Sequence, residues 1–268
     1  MSTALPDHSG EEEKILRVQT LGGFRVWRNG EEIPSSAWTR DKAVQLFQFF
    51  ITMRQQAARL HKEAIIEQLW PDYDPDKGDR DFKVALNAVH KALEPERAPR
   101  SEPHFVRRYD LAYGLHRESV QIDGDAFEAA IAQGNQLRQE NEVEAAIERY
   151  KRALAYYRGD YLPERRYEDW SSVERERLQV LALNLMTTLG SLLVDRSPLE
   201  TIRLTERVLA IDPIWEDAYR TQMRAYIATG NRPLALRTYQ RCVTVLAEEL
   251  GIDPLPQTTD LYQKILVR

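Results

Sequence analysis

A change of hydrophobic period near Asp123 constrains this chain more than any other feature. Upstream, short alternating runs of β-forming residues are interleaved with helical ones; downstream, strand signals vanish and apolar residues recur at helical spacing to the C-terminus. With 268 residues, against about 100–200 per domain, the change predicts two domains, each long enough to bury its own core. The expected fold is mainly α with a small β component. Its divisions are a flexible polar tail over 1–13, a mixed domain over 14–118 and an all-helical domain over 119–268.

In the mixed domain, Leu16, Val18 and Thr20 alternate up to Gly22-Gly23, and Phe24, Val26 and Trp27 precede Asn29-Gly30. This pattern predicts two short strands and a turn. Thr39 stands before the run Val44, Leu46, Phe47, Phe49, Phe50 and Met53, and is the expected N-cap of a first helix. A second helix is expected from about Lys62, carrying Ile65, Ile66, Leu69 and Trp70 and stopping at Pro71. A third is expected from about Asp79 to Leu93, with Phe82, Leu86, Val89 and Leu93 at helical spacing, and Phe105 to His116 alternates like a hairpin. Strands, three helices and a terminal hairpin, in that order, match a winged helix-turn-helix with short antiparallel sheets.

The net charge of −5 hides an uneven distribution. Residues 1–13 carry four acids and no Lys or Arg, residues 14–116 carry 17 basic and 14 acidic residues, and residues 117–268 carry 20 basic and 24 acidic. The positive excess lies in the mixed domain, where a nucleic-acid footprint would be sought. On the third helix the apolar stripe leaves Arg80, Lys83, Asn87, His90 and Lys91 mostly on the other side. Lys and Arg neutralise phosphates and donate to guanine, while an Asn amide matches the donor–acceptor edge of adenine in the major groove. Arg107-Arg108 on the hairpin, and Arg40 and Lys42 at the opening of the first helix, extend this basic set.

In the second half, Thr201-Ile202, Thr205 and Val208 align with Ala235-Leu236, Tyr239 and Cys242 at an offset of 34, the tetratricopeptide period. A clearer copy of the half-motif stands at Ala146-Ile147, Tyr150 and Ala153-Leu154. Small residues at these positions let paired helices approach closely, and stacked pairs form a concave surface. A tetratricopeptide-like array is expected, with these residues packing its core.

Several chemistries lack their residues. Asp72, Asp74 and Asp76 begin like a calcium loop, but Lys77 and Lys83 stand where that loop needs Gly and Glu. His61, Glu63 and Glu67 lack the second histidine of a zinc-protease helix. There is no phosphate-binding loop, Rossmann glycine pattern or nucleophile elbow, so neither enzyme activity nor a metal or cofactor is expected. The single cysteine, Cys242, fits a reducing compartment, and no apolar run is long enough to span a membrane. A cytoplasmic location is expected.

Longer stretches carry a resemblance. The segment from Phe82-Lys83-Val84-Ala85-Leu86-Asn87 to Leu93-Glu94-Pro95 is similar to the third helix of an OmpR-type winged helix in the SARP group of bacterial transcription activators. The second half resembles their bacterial transcriptional activation domain at Tyr157-Arg158-Gly159-Asp160-Tyr161-Leu162-Pro163, Glu168-Asp169-Trp170, Arg175-Glu176-Arg177-Leu178, Asp212-Pro213, and Glu249-Leu250-Gly251-Ile252-Asp253-Pro254. Many members carry an arginine pair where this chain has His90-Lys91, so base readout there is expected to differ.

The resemblance implies binding to double-stranded promoter DNA, commonly as two protomers on a direct repeat, and recruitment of RNA polymerase. On it, Lys83 and Asn87 enter the major groove, His90 and Lys91 reach bases or nearby phosphates, and Arg107 and Arg108 hold the flanking backbone. The loop from Asp72 to Asp79, with Asp72, Asp74 and Asp76, is the polymerase-facing candidate, because in winged helices of this type it lies beside the DNA surface. Two other readings remain open at this point: a helical-repeat interaction scaffold, and a module of a larger ATPase regulator.

Overall fold

The computed structural model describes residues 15–267; the expected tail over 1–13 lies outside them. The chain divides into two compact units. The first runs to Asp125 and takes in Gly159–Arg175 from within the helical half; the second comprises Ala126–Arg158 and the chain from Glu176 onward.

The first unit opens with β1 (Leu16–Gln19), β2 (Arg25–Arg28) and β3 (Glu31–Glu32). The helices α1 (Asp41–Met53), α2 (Lys62–Leu69) and α3 (Pro75–Leu93) follow, with β4 (Leu60–His61) just before α2. A hairpin of β5 (Val106–Tyr109) and β6 (Ala112–Leu115), and the short β7 (Val120–Ile122), complete the order. The result is the expected winged helix-turn-helix. Its first sheet has the order β3-β2-β1-β7, and its second has β4-β6-β5. All pairings are antiparallel except β1 with β7, which run parallel with Leu16 opposite Val120. A parallel pair needs a long crossover, and here the three helices and the hairpin supply it.

Leu16, Val18 and Val26 of the first sheet, Leu46, Phe47 and Phe50 of α1, and Phe82 and Val89 of α3 are all buried, and Phe24 meets Phe47 edge-on at 6.2 Å. Trp38 stacks on Phe47 with ring centroids 5.7 Å apart. The expected N-cap, Thr39, is not the cap: Arg40 takes that position in an extended conformation, with no side-chain bond to the helix.

Residues 159–175 close the first unit. Tyr161 bridges to Leu21, Gly22 N–H donates to the Asp160 carbonyl at 2.9 Å, and Leu162 N–H donates to the Thr20 carbonyl at 2.9 Å. The fully buried Tyr161 lies with its hydroxyl 2.8 Å from that of Thr52, and Thr52 in turn donates to the Gln48 carbonyl. Arg165 donates from Nε to Gln48 at 2.8 Å and from Nη1 to Asp41 at 2.9 Å, and Trp170 meets Phe49 edge-on at 5.6 Å. Beneath these contacts Arg54, whose side chain is 1% exposed, donates to Asp125 at 2.6 Å and to the Ile51 carbonyl at 2.7 Å.

The second unit is helical. Its elements are α4 (Asp123–Gln139), of which Ala126 onward belongs here, α5 (Val143–Tyr156), the greater part of α6 (Asp169–Leu193), α7 (Pro198–Ile211), α8 (Glu216–Ala228), α9 (Arg232–Leu250) and α10 (Pro256–Val267). The 34-residue offset superposes buried positions: Thr201 on Ala235 and Val208 on Cys242. In the clearer copy Tyr150 crosses Gly134 of α4 so closely that a Cβ there would lie 2.5 Å from the ring. Its hydroxyl donates to Asn135 Oδ1 at 2.7 Å. Cys242 is fully buried, and burial pushes its thiol up to about 12, so it stays protonated. Among the described residues no helix is long and apolar enough to cross a membrane.

Candidate nucleic-acid interface

The helix-turn-helix is α2 and α3. The expected loop from Asp72 to Asp79 is shorter than its residues suggested: only 70–74 are non-helical, and α3 begins at Pro75. Asp74 is the N-cap, its carboxylate accepting from Lys77 N–H at 2.9 Å, and Pro75 takes the first helical position, where no donor is needed. Asp72 is exposed in the turn and Asp76 lies in the first turn of the helix. Gly78 permits the crossing of the two helices, since a Cβ there would sit 2.6 Å from Cγ2 of Ile66. Asp79 then ties them, accepting from Lys62 at 2.6 Å and pairing with Lys83 at 2.5 Å. These two ammonium groups, Lys62 foremost, hold the Asp79 carboxyl below the usual carboxylate range.

Phe82, Ala85, Leu86, Val89 and Leu93 bury one side of α3. Arg80, Lys83, Val84, Asn87 and Lys91 are exposed on the other. At about 100° per residue, Arg80, Val84, Asn87 and Lys91 form a narrow stripe opposite Val89, with Lys83 at its edge. Sequence reasoning passed over Val84, which is 39% exposed, although the same angular count would have placed it there.

His90 leaves this stripe. Its Nε2 donates to the Val106 carbonyl of β5 at 3.1 Å, and burial pushes its imidazole below the usual histidine range. The ring joins α3 to the hairpin. Two further ties fix the end of α3: the Glu94 carboxylate accepts from His104 N–H at 2.9 Å and Phe105 N–H at 3.3 Å, and Arg28 of β2 donates to the Leu93 carbonyl at 3.3 Å. Phe82 meets Tyr113 of β6 edge-on at 5.0 Å.

Arg107 and Arg108 are adjacent on a strand and therefore leave opposite faces of the hairpin. Arg108 is paired with Tyr113 and shares the face that packs on α3; it is exposed, with Nε donating to the Asp110 carbonyl at 2.6 Å. Arg107 is opposite Gly114 on the outer face, half-buried, and donates to the His104 carbonyl at 3.1 Å. On that outer face Arg59, also missed by sequence reasoning, lies 4.0 Å over the Tyr109 ring.

The two basic residues at the start of α1 part company. Arg40 is exposed. Lys42 turns inward: its ammonium donates to the Leu69 carbonyl at the end of α2 at 2.7 Å and lies 5.3 Å over Trp70, and burial lowers its pKa. Among the described residues, no group of three or more His, Cys, Asp or Glu is placed to hold a metal ion.

Residues 122–266 match the family described as bacterial transcriptional activator domain. The chain is 24% identical over 258 residues to the regulatory protein AfsR of Streptomyces coelicolor, covering 96% of this chain and 25% of AfsR. It is 26% identical over 257 residues to the transcriptional regulatory protein MoaR1 of Mycobacterium tuberculosis, covering 94% and 79% respectively. It is 24% identical over 272 residues to the regulatory protein DnrI of Streptomyces peucetius, covering 94% and 92%. The chain thus spans a quarter of the length of AfsR and most of MoaR1 and DnrI. The solved structure of Mycobacterium tuberculosis EmbR, in complex with a low affinity phosphopeptide, superposes with a TM-score of 0.80 at 22% identity, over 95% of this chain and 66% of that one. That likeness shows a shared fold. The family match covers more than half of the chain, which therefore belongs to the bacterial transcriptional activator domain family and is of the SARP type.

Proposed function

We propose that the chain is a sequence-specific, DNA-binding transcriptional activator that binds promoter direct repeats as two protomers and recruits RNA polymerase. The observation that carries the reading is the α3 stripe, where two lysines, an arginine and an amide face outward from a helix held at three points by the hairpin and first sheet. In this reading Lys83 and Asn87 enter the major groove, Arg80 and Lys91 take phosphates or guanine, and Arg108 lies along the flanking backbone. Arg107 reaches phosphates only from the outer face of the hairpin, where Arg59 accompanies it. Arg40 supplies a further phosphate contact. His90 and Lys42 support the interface from within, since both are already bonded to backbone carbonyls.

Asp72 and Asp76, on and beside the turn capped by Asp74, offer an acidic surface to a basic patch of polymerase. The protein acts in the cytoplasm as a regulator and not as an enzyme. AfsR, about four times as long, favours a role for such a chain as one module of a larger regulator as well as alone.

The test is selection of bound sequences from a random duplex pool, followed by anisotropy titration of the winner at two salt concentrations, with Lys83→Ala alongside. An enriched direct repeat, bound more weakly as salt rises and by Lys83→Ala, is the expected result. Weak binding indifferent to sequence and to Lys83 would instead favour a helical-repeat scaffold with a protein partner.

A further inference from the structure

We infer that Val84 reads a base: its side chain takes the C5 methyl group of a thymine within one base pair of the adenine engaged by Asn87. This rests on the DNA-binding reading above. Val84 is 39% exposed in a stripe otherwise made of Arg80, Asn87 and Lys91, with Lys83 beside it. A β-branched residue on a solvated helix face is a poor choice, because it loses side-chain freedom in the helix and exposes apolar surface. Among these cationic and amide groups an apolar side chain adds nothing to the attraction of phosphate, which leaves contact with a base edge as what it can contribute.

The major groove offers one methyl group, that of thymine; the other features that tell the base pairs apart there are donors and acceptors. Asn87 stands three residues on from Val84, and side chains at that spacing lie about 5–6 Å apart. Successive bases are about 3.4 Å apart along a strand, so the two residues address the same base pair or neighbouring ones. An adenine presents N6 and N7 to an amide while its partner thymine presents the methyl on the same groove edge. Val84 and Asn87 together therefore select an A·T pair. Val84 carries no charge, so its contribution is the same at low and high salt, unlike those of Lys83 and Lys91.

The experiment uses the full chain and the duplex enriched from the random pool, with each thymine replaced singly by deoxyuridine, which lacks only the methyl. One replacement is expected to weaken the wild type about fourfold, the worth of one buried methyl group, by the same ratio at both salt concentrations. In Val84→Ala, checked for unchanged helicity, that penalty vanishes. The inference is overturned by an enriched site with no fixed thymine, by indifference of the wild type to every replacement, or by a penalty that persists in Val84→Ala. Failure to enrich any sequence removes the DNA-binding reading and this inference together; enrichment with no methyl effect removes this one alone.

Discussion

His90, one turn before the end of α3, and Val106, at the start of the hairpin, are joined by a hydrogen bond of 3.1 Å from the imidazole Nε2 to the main-chain carbonyl. Burial holds the histidine pKa down, so the neutral ring is the species that fits the joint. A depressed histidine contributes stability that is present above its unfolded pKa of about 6.5 and lost as pH falls through the folded value. An NMR titration of the His90 ring is expected to give a midpoint below about 6.5. Unfolding free energy should fall between neutral and mildly acidic pH in the wild type and less so in His90→Gln; a midpoint at or above the ordinary value would defeat the account.

Gly78→Ala tests the crossing of α2 and α3. The added Cβ meets a branched methyl of Ile66 at 2.6 Å, and overpacking of this kind costs about 1–3 kcal/mol. Ile66→Ala removes that methyl. Chemical denaturation of the two single variants and the double variant is expected to show non-additivity, with Gly78→Ala costing less in the Ile66→Ala background. Simple addition of the two costs would mean that the helices relax apart.

The pair of buried Arg54 and half-buried Asp125 is expected to contribute to acid stability. Burial raises the Asp125 carboxyl, but hydrogen bonds from Arg54 and then Arg117 outweigh it and leave the pKa below the usual range. A depressed carboxyl contributes stability present above its unfolded value of about 3.9 and lost as pH falls through the folded one. Asp125→Asn leaves the Arg54 charge short of its nearest partner and is expected to cost about 3 kcal/mol at neutral pH. That deficit should shrink on acidification, which urea denaturation at neutral and acidic pH would reveal.

Lys42 and Lys83 should separate in a salt titration of DNA binding. Lys42→Met removes a bond to the Leu69 carbonyl and is expected to lower stability by about 1 kcal/mol with no change in salt dependence. Lys83→Ala does the reverse, leaving stability nearly unchanged and reducing the slope of log affinity against log salt by about 0.9. Equal slopes for Lys83→Ala and the wild type would mean that the Lys83 ammonium displaces no counterion from the groove.

The order of the first two strands, the three helices and the hairpin was legible in the sequence because each has its own period, whereas the two- or three-residue strands β3, β4 and β7 are too short to show one. The helices α1, α2 and α3 are marked by apolar residues that the core requires, and the hairpin by alternation ending at His116. The start of α3 was not. Between Pro75 and Asp81 only Gly78 is buried, so no stripe announces the first two turns, and the signal available was Asp74-Pro75 as cap and first helical residue. The inward turn of Lys42, the bond from His90 to Val106 and the parallel pairing of β1 with β7 depend on partners distant in sequence. Charge and spacing along one element cannot reveal them. Exposure on a helix, by contrast, follows from periodicity: Arg80, Lys83, Asn87 and Lys91 are exposed as expected, whereas His90, expected beside them, is half-buried and Val84 takes a place on that face that was not foreseen.

The return of Gly159–Arg175 to the first unit bears on biosynthesis. Translation delivers the three helices and the hairpin early, yet Thr52 has no Tyr161, Phe49 no Trp170, and the edge at Thr20–Gly22 no segment to bond until the chain well beyond the hairpin, as far as Trp170, has emerged. A nascent chain halted before Gly159 therefore holds an unfinished first unit, whose completion waits on residues made later.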